Sequence, residues 1–187
     1  MSVLYQNLRP LDAEREQNDY YATHPKAMYK LLEHETFNKN VWECACGEGN
    51  LSEVLKEKGH NVYSTDLINR GYADDHFDFI TSNIKWSGDI ITNPPFKYTN
   101  EFILKALESV EDGSKVAMFL KINYVSGVKR YKEIYSKYPP MRLYVFSRRV
   151  GCSKNNKEEG FKQSAIDYAW FIWEKGKYSP CELKWIE

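Results

Sequence analysis

The residues best suited to chemistry form a tetrapeptide, Asn93-Pro94-Pro95-Phe96, that directly follows the apolar run 88–92. Two prolines cannot continue a strand's hydrogen-bond ladder, and a residue before proline is held extended, so the sequence predicts a rigid turn at a strand end. The Asn93 side-chain oxygen and the Pro94 carbonyl are two acceptors, and Phe96 offers an aromatic face. These groups suit a planar amino group, because they can hold both N–H bonds while the lone pair faces an electrophile. The alternative interpretation is an ordinary rigid turn.

A second group of residues, Glu43-x-x-x-Gly47-x-Gly49, lies where a predicted strand gives way to a helix. A dinucleotide fingerprint would need a third glycine where Ser52 stands, so that interpretation fails. Glycines in such a turn allow positive φ and the close approach of a ligand to the main chain. A carboxylate before the turn would repel a pyrophosphate. It suits a cationic ligand such as S-adenosylmethionine, which carries an ammonium and a sulfonium.

Asp66 ends the next predicted strand, 17 residues after Gly49. In sheets of this type an acidic side chain at that place accepts hydrogen bonds from two ribose hydroxyls. A structural role, in which Asp66 caps a loop, is the alternative. The glycine turn alone is a weak signal, and its interpretation depends on Glu43 before it and Asp66 after it.

The pattern of apolar residues predicts strands alternating with helices. The predicted strands are 41–45, 61–65, 77–80, 88–92, 115–120, 141–146 and 165–173. The predicted helices are 25–35, one with Leu51, Val54 and Leu55 on one face that ends at Gly59, 100–110 and 128–138. This alternation predicts an α/β fold with a doubly wound, mostly parallel Rossmann-like sheet. No helix separates the last two strands, which predicts an antiparallel hairpin at one sheet edge.

Charge is distributed unevenly along a chain whose formal net charge is zero. Residues 1–114 hold 11 Lys and Arg against 19 Asp and Glu, whereas residues 115–163 hold 12 against 3, a net of +9. Such asymmetry within one domain suggests a polyanionic partner, although a solvated basic face is the alternative. The basic side chains predicted to contact nucleic acid are Arg148, Arg149, Lys154 and Lys157.

Composition excludes several other classes of protein. The chain of 187 residues has 42% hydrophobic and 28% charged residues, which fits one globular domain covering residues 1–187. No apolar run reaches the roughly 18 residues of a membrane span, and no secretory signal is visible, so we expect a cytoplasmic protein. The four cysteines form no Cys-x-x-Cys pair, so we expect reduced thiols and no metal site.

The three motifs, in this order, resemble those of class I S-adenosylmethionine-dependent amino-methyltransferases. The closest likeness is to small phage and prophage enzymes that methylate adenine N6 in DNA, and it covers about residues 18–175. The resemblance implies a seven-stranded methyltransferase sheet with a reversed final hairpin, and S-adenosyl-L-methionine as the methyl donor. It implies cofactor contacts from Glu43, Gly47 and Gly49 at the methionine part, from Asp66 at the ribose, and from Asp78 and Phe79 at the adenine.

The resemblance also extends to the N-terminal extension 1–23 and to the tetrapeptide. Residues 18–23 are similar to an N-terminal cofactor-contact motif, which implies contacts from Tyr21 and Thr23. The family continues this motif as Thr-Pro, whereas His24 intervenes here, and we expect His24 to have a structural role. The tetrapeptide residues Asn93, Pro94, Pro95 and Phe96 would form the catalytic turn that carries the amine.

The sequence therefore predicts an enzyme that methylates an exocyclic amino nitrogen, with adenine N6 in DNA as the expected target. The same tetrapeptide occurs in enzymes that methylate RNA bases or a protein glutamine amide, and the motifs do not separate these substrates. The net charge of residues 115–163 favours a nucleic acid over a protein amide. A nucleic-acid-binding protein that keeps the fold without turnover is the alternative from another class.

Overall fold

The fold is an α/β architecture, and the computed structural model describes residues 20–154 and 166–187. Its strands are β1 (Tyr21–Thr23), β2 (Asn40–Glu43), β3 (Asn61–Asp66), β4 (Asp75–His76), β5 (Asp89–Thr92), β6 (Lys115–Lys121), β7 (Arg142–Phe146), β8 (Cys152–Lys154), β9 (Tyr168–Glu174) and β10 (Glu182–Ile186). Its helices are α1 (Lys26–Leu32), α2 (Asn50–Glu57), α3 (Thr99–Ser109) and α4 (Val128–Arg130), and a π-helix, Tyr131–Tyr135, continues α4.

Eight strands form the central sheet in the order β10-β7-β9-β6-β5-β2-β3-β4. Strand β9 runs antiparallel to both neighbours, β6 and β7, and the other pairs are parallel. Helices α2 and α3 each connect two parallel strands, as crossovers in such sheets require. The predicted fold class, a doubly wound and mostly parallel sheet with an antiparallel strand pair, is confirmed.

Two apolar cores lie on opposite faces of this sheet, and β6 shows how the sequence builds both. Val116, Met118 and Leu120 belong to the core that α3 covers, whereas Ala117 and Phe119 belong to the core under α1 and α2. All five side chains are fully buried. Successive residues of a strand point to opposite faces, so a continuous apolar run such as 116–120 marks a strand covered on both sides.

The predicted strand 77–80 is wrong. The strand in this region is β4, two residues long, and it ends before Phe77. Asp78 closes a tight turn by accepting a hydrogen bond from the Ile80 amide at 2.9 Å. Phe79 is buried and packs on Trp42, with ring centroids 5.1 Å apart. The alternating apolar residues therefore come from a turn that inserts an aromatic ring into the core.

The end of the chain also differs from the prediction. Strand β9 lies between β6 and β7, inside the sheet, so the antiparallel pair is not at the edge. The edge position belongs to β10, which runs parallel to β7 and was not predicted. Four of the five β10 residues are exposed, so this strand lacks the apolar run that revealed the inner strands. The predicted helix 128–138 is shorter and continues as the π-helix to Tyr135.

A second sheet was not predicted and bears directly on the site. Strand β1 pairs antiparallel with β8, with Tyr21 opposite Lys154 and Thr23 opposite Cys152. Each strand has three residues, which is too short for a periodic pattern to stand out in a sequence. Beyond β1, His24 accepts a hydrogen bond from the Lys26 amide at 3.0 Å, in agreement with the structural role expected for it.

Within residues 20–154 and 166–187, no helix is long and apolar enough to cross a membrane. The same residues contain no group of three or more His, Cys, Asp or Glu side chains that could hold a metal ion.

Candidate active site

A cavity of about 770 Å³ opens at the carboxyl ends of β2, β3 and β5. This is the edge at which open α/β sheets bind ligands, and the volume lies within the usual range for a ligand pocket. Ten of the residues predicted to act line this cavity, namely Tyr21, Thr23, Glu43, Asp66, Asp78, Phe79, Asn93, Pro94, Pro95 and Phe96. Residues distant in sequence meet here because the ends of neighbouring parallel strands converge.

The glycine turn joins β2 to α2 beside this cavity, but neither Gly47 nor Gly49 is among the residues that line it. Gly47 has φ +58° and Gly49 has φ +85°, so both need the left-handed conformation that glycine adopts easily. A Cβ on Gly47 would lie 2.4 Å from the Tyr20 ring, and one on Gly49 would lie 2.4 Å from the Tyr72 ring. A ligand approaching these glycines would need open space beside them, whereas their close neighbours in the structure are the rings of Tyr20 and Tyr72.

The Asp66 carboxylate accepts three hydrogen bonds next to the glycine turn. Its Oδ2 accepts from the Gly47 amide at 2.8 Å, and its Oδ1 accepts from the Ile68 amide at 2.9 Å and from Arg70 Nη1 at 3.0 Å. Arg70 also lies over the Tyr20 ring, 4.2 Å from its centroid. Asp66 therefore shapes the turn as well as lining the cavity, and both the loop-capping role and a ligand role fit its position.

Glu43 ends β2 with its carboxyl group almost fully buried at the cavity wall. Ser52 donates a hydrogen bond to Glu43 Oε2, and the Ser52 and Ser64 hydroxyls are 2.8 Å apart. Burial raises the pKa of Glu43 to about 8, despite the opposing effect of the Ser52 hydrogen bonds. Near neutral pH this carboxyl is largely protonated, and a cation in the cavity would favour its ionised form.

The side-chain amide of Asn93 has a fixed orientation. Its Nδ2 donates to the Tyr21 carbonyl and to Thr23 Oγ1, both at 2.9 Å, and lies 3.6 Å from Cys152 Sγ. Its Oδ1 is buried and has no hydrogen-bond partner among the described residues. A buried acceptor without a partner is costly and calls for an explanation. Because Asn93 also lines the cavity, this acceptor is placed where a donor on a bound ligand could reach it.

Phe96 is the last residue of the turn 93–96, called here the prolyl turn, and it lies among aromatic and cationic neighbours. Its ring centroid lies 5.3 Å from that of Tyr21, with 30° between the planes. Lys121 Nζ lies 4.0 Å from the Phe96 centroid, and the Tyr124 hydroxyl donates to the Phe96 carbonyl at 2.8 Å. Pro95 has an extended backbone, with φ −58° and ψ 129°. The turn is therefore anchored at Asn93 by β1 and at Phe96 by Tyr124, which are contacts that its two prolines did not predict.

The turn carrying Asp78 and Phe79 forms another wall of the cavity. Asp78 Oδ1 accepts from the Ile80 amide. Phe79 is only 2% exposed, because Trp42 and Phe102 cover its ring. Its side chain thus belongs mainly to the core, which leaves little ring surface for stacking on a ligand.

Three of the four basic residues predicted to contact nucleic acid, Arg148, Arg149 and Lys154, lie just before β8 or at its end. Arg148 and Arg149 are exposed, and Arg149 Nε pairs with Asp167 Oδ1 at 2.9 Å. Lys154 ends β8, and Lys157 lies outside the described residues. This stretch leads into the strand that pairs with β1, so it approaches the site from the side of Tyr21 and Thr23.

Several cavity residues were missed by reasoning from the sequence. Arg70, Lys97, Tyr98 and Glu101 line the cavity without belonging to any motif, and Tyr20 lines it from within the N-terminal motif 18–23 without being among the predicted contacts. The lining residues include four acidic side chains, of which Glu43 is largely protonated near neutral pH, and two cationic side chains. Acidic groups still outnumber cationic ones without Glu43, so the cavity favours a cationic ligand over a phosphate. A motif search has no signal for such residues, because they come from loops and a helix start whose spacing is not fixed.

Comparison with known proteins gives matches in structure only. No protein-family model matches the chain, and no curated protein matches it. Among solved structures, a candidate class I S-adenosylmethionine-dependent methyltransferase from Listeria monocytogenes aligns with a TM-score of 0.58 at 13% identity, over 86% of this chain and 61% of that protein.

Two further matches are named for rRNA methylation and for a restriction enzyme. The 23S rRNA methyltransferase ErmE aligns with a TM-score of 0.58 at 15% identity, over 83% of this chain and 70% of ErmE. The M protein of the type I restriction enzyme EcoKI aligns with a TM-score of 0.58 at 12% identity, over 89% of this chain and 45% of its own length. The protein therefore has the fold of the class I S-adenosylmethionine-dependent methyltransferases.

Proposed function

We propose that this protein is an S-adenosylmethionine-dependent methyltransferase that methylates an exocyclic amino nitrogen, and that its substrate is adenine N6 in DNA. The observation that carries the proposal is the amide of Asn93. Its nitrogen is bound to β1, and its oxygen is a buried acceptor without a partner among the described residues. An amino group brought to the prolyl turn would supply the missing donor.

The cavity residues fit the cofactor. Glu43 is a buried carboxyl beside the glycine turn, where it can pair with an ammonium, and Asp66 can still accept hydrogen bonds from hydroxyl groups. Carboxylates outnumber cations around the cavity, which suits a molecule with two positive centres and no phosphate. S-adenosylmethionine supplies an electrophilic methyl group on a sulfonium.

Catalysis in this proposal consists mainly of positioning and electrostatics. The lone pair of an exocyclic amine is delocalised into the ring, which makes the nitrogen a poor nucleophile. Hydrogen bonds from its two N–H groups to Asn93 Oδ1 and the Pro94 carbonyl favour a tetrahedral nitrogen and direct its lone pair. The bond from nitrogen to the methyl carbon would form as the carbon–sulfur bond breaks, which leaves the electron pair on a neutral thioether sulfur. Because the amine proton becomes acidic only after this transfer, it can pass to water, and no strong base is needed beforehand. The fixed Asn93 amide costs no reorganisation during the reaction.

The choice of nucleic acid as substrate rests on charge. Residues 115–163 carry a net charge of +9, and they include the strand β8 that pairs with β1 beside the site. A phosphate backbone is the partner that such a segment attracts most strongly. Two proteins with the same fold are named for rRNA methylation and for a restriction system, which is compatible with a nucleic-acid substrate.

The test is methyl transfer from labelled S-adenosylmethionine to DNA, RNA and protein in parallel reactions. Label recovered as N6-methyladenine from DNA is the expected result. Label in RNA bases or in glutamine amides would show that DNA is the wrong substrate, whereas the proposed methyl transfer to an amino nitrogen would stand. If the chain neither binds the cofactor nor transfers label to any of the three, the proposal is wrong.

Thr23 should act through Asn93. Thr23→Val removes the acceptor for Asn93 Nδ2 at nearly constant shape, so the amide can rotate and its oxygen loses its direction. We expect kcat to fall about tenfold, the equivalent of one neutral hydrogen bond, with little change in the cofactor Kd. Thr23→Ser keeps the hydroxyl and should restore most of kcat. A change confined to the cofactor Kd would instead make Thr23 a cofactor contact.

A further inference from the structure

An exposed apolar surface lies next to the candidate site, on segment 125–132, which follows the carboxyl end of β6. Val125 is 50% exposed, Val128 is 74% exposed and Tyr131 is 63% exposed. Three large apolar side chains are thus open to solvent within seven residues, and exposed apolar side chains that cluster often mark a surface for a partner. The segment begins just beyond Tyr124, which is bonded to the Phe96 carbonyl.

Cationic side chains accompany this apolar surface. Lys129 and Lys132 are exposed, and the side chain of Lys129 is 76% exposed. The nearest carboxylate oxygen to Lys129 Nζ belongs to Glu133, at 3.9 Å, which is a weak pair for two exposed groups. Apolar and cationic side chains side by side fit a partner that offers both stacked bases and phosphates.

Arg130 differs from these two lysines because it holds the segment in place. Its Nη1 donates to the Tyr124 carbonyl at 3.2 Å and to the Ser126 carbonyl, and its Nε donates to Asn100 Oδ1 at 3.2 Å. The Tyr135 hydroxyl also donates to the Tyr124 carbonyl, at 2.7 Å. Since Tyr124 in turn bonds to the prolyl turn, the exposed surface has a fixed position relative to Asn93.

We infer that segment 125–132 is a docking surface for duplex DNA, in which Val125 and Val128 wedge into the base stack beside the target base while Lys129 and Lys132 contact phosphates. The inference rests on the proposed function and deepens it. A base must leave the duplex for its amino group to reach Asn93 at the cavity wall, and unstacking costs a few kcal/mol. An apolar wedge next to the pocket would compensate for the lost stacking, as inserted aliphatic side chains do in proteins that kink DNA.

The character of the apolar residues favours a duplex over a single strand. Surfaces for single strands rely on aromatic rings, because each successive base stacks on one. Here the most exposed apolar residue is the aliphatic Val128, and Tyr131 is the one aromatic ring on the segment. Branched aliphatic side chains separate bases better than they stack on them.

The phosphate contacts are tested by the double variant Lys129→Gln/Lys132→Gln. Its affinity for duplex DNA near 0.1 M salt should fall about tenfold. The slope of log K against log salt should become shallower by about 2, since each lost contact removes about 0.9. The matched control is Lys85→Gln/Lys177→Gln, which removes two exposed lysines beyond the amino end of β5 and the carboxyl end of β9, at the opposite sheet edge. Equal slopes for the two double variants would overturn the inference.

The wedge is tested by Val128→Ser, with Leu183→Ser on β10 as the matched control. Methylation of duplex DNA by Val128→Ser should slow by about tenfold, whereas methylation of the same strand as single-stranded DNA should change less than twofold. An equal loss on both substrates, or none, would contradict a wedge, and a loss on RNA only would assign the surface to RNA.

If the wild type methylates no nucleic acid, the proposed function fails, and the DNA-binding comparison of the lysine variants still decides whether segment 125–132 docks DNA. Unchanged thermal melts exclude misfolding.

Discussion

Replacing Asn93 with alanine should lower kcat for methyl transfer by about 10²–10³-fold while the cofactor Kd changes less than threefold. The expected size follows from the loss of one preorganised polar contact to the reacting group, which typically costs about 3–4 kcal/mol in kcat. Asn93 suits this role because its amide nitrogen is already bound to Tyr21 and Thr23, so its oxygen does not need to be reoriented. Single-turnover transfer from labelled S-adenosylmethionine measures the chemical step, and calorimetry measures the Kd.

Asn93→Asp is the matched variant for this experiment. It keeps an acceptor of the same shape but loses the two N–H donors that bind Tyr21 and Thr23. We expect it to retain more activity than Asn93→Ala, because an acceptor still faces the amine. Equal losses in both variants would indicate that anchoring to β1 matters and that the oxygen does not. A wild-type rate of methyl transfer in Asn93→Ala would contradict the proposed role of Asn93 Oδ1 as an acceptor for the amine.

The parts of the site that sequence reasoning predicted are those at strand ends. Glu43 and Asp66 end β2 and β3, Asn93 directly follows β5, and parallel strands bring their carboxyl ends to one edge of the sheet. Their convergence on one cavity therefore follows from the order of elements. Their roles toward a ligand stay predictions, because the strand order brings the side chains together without showing what they bind.

The parts that could not be predicted depend on contacts between distant segments. The pairing of β1 with β8 joins Thr23 to Cys152 across 129 residues, and two three-residue strands give no periodic signal. The orientation of the Asn93 amide depends on that pairing, since Thr23 supplies one of its acceptors. The sequence predicts a strand at Phe79 because a buried turn and a buried strand give the same pattern of apolar residues. The Phe79 ring is buried against Trp42, but its backbone forms a turn.

The Glu43 carboxyl should make cofactor binding depend on pH. Burial raises its pKa to about 8, so the unliganded protein holds a proton on Glu43 at pH 7. A cationic ligand nearby favours the carboxylate and lowers that pKa, which means that binding releases the proton. Affinity should therefore rise with pH up to about 8 and then level off. Calorimetry at pH 7 in two buffers of different ionisation enthalpy counts the released proton.

Glu43→Gln separates this effect from the titration of the ligand's own amino group. The variant cannot ionise, so the ratio of wild-type to variant affinity should grow between pH 6 and 8 and reach about 10–100-fold, the value of one charge-assisted contact. The folding stability of the wild type should fall over the pH range in which its affinity for the cofactor rises. Because the folded-state pKa of Glu43 lies above its unfolded value, wild-type stability is lost as pH rises from about 4.5 to 8, and the melting temperature of Glu43→Gln should gain on the wild type over that window. An affinity ratio that stays flat while the melting temperatures diverge would mean that Glu43 is a buried structural acid and that another group receives the cofactor's ammonium.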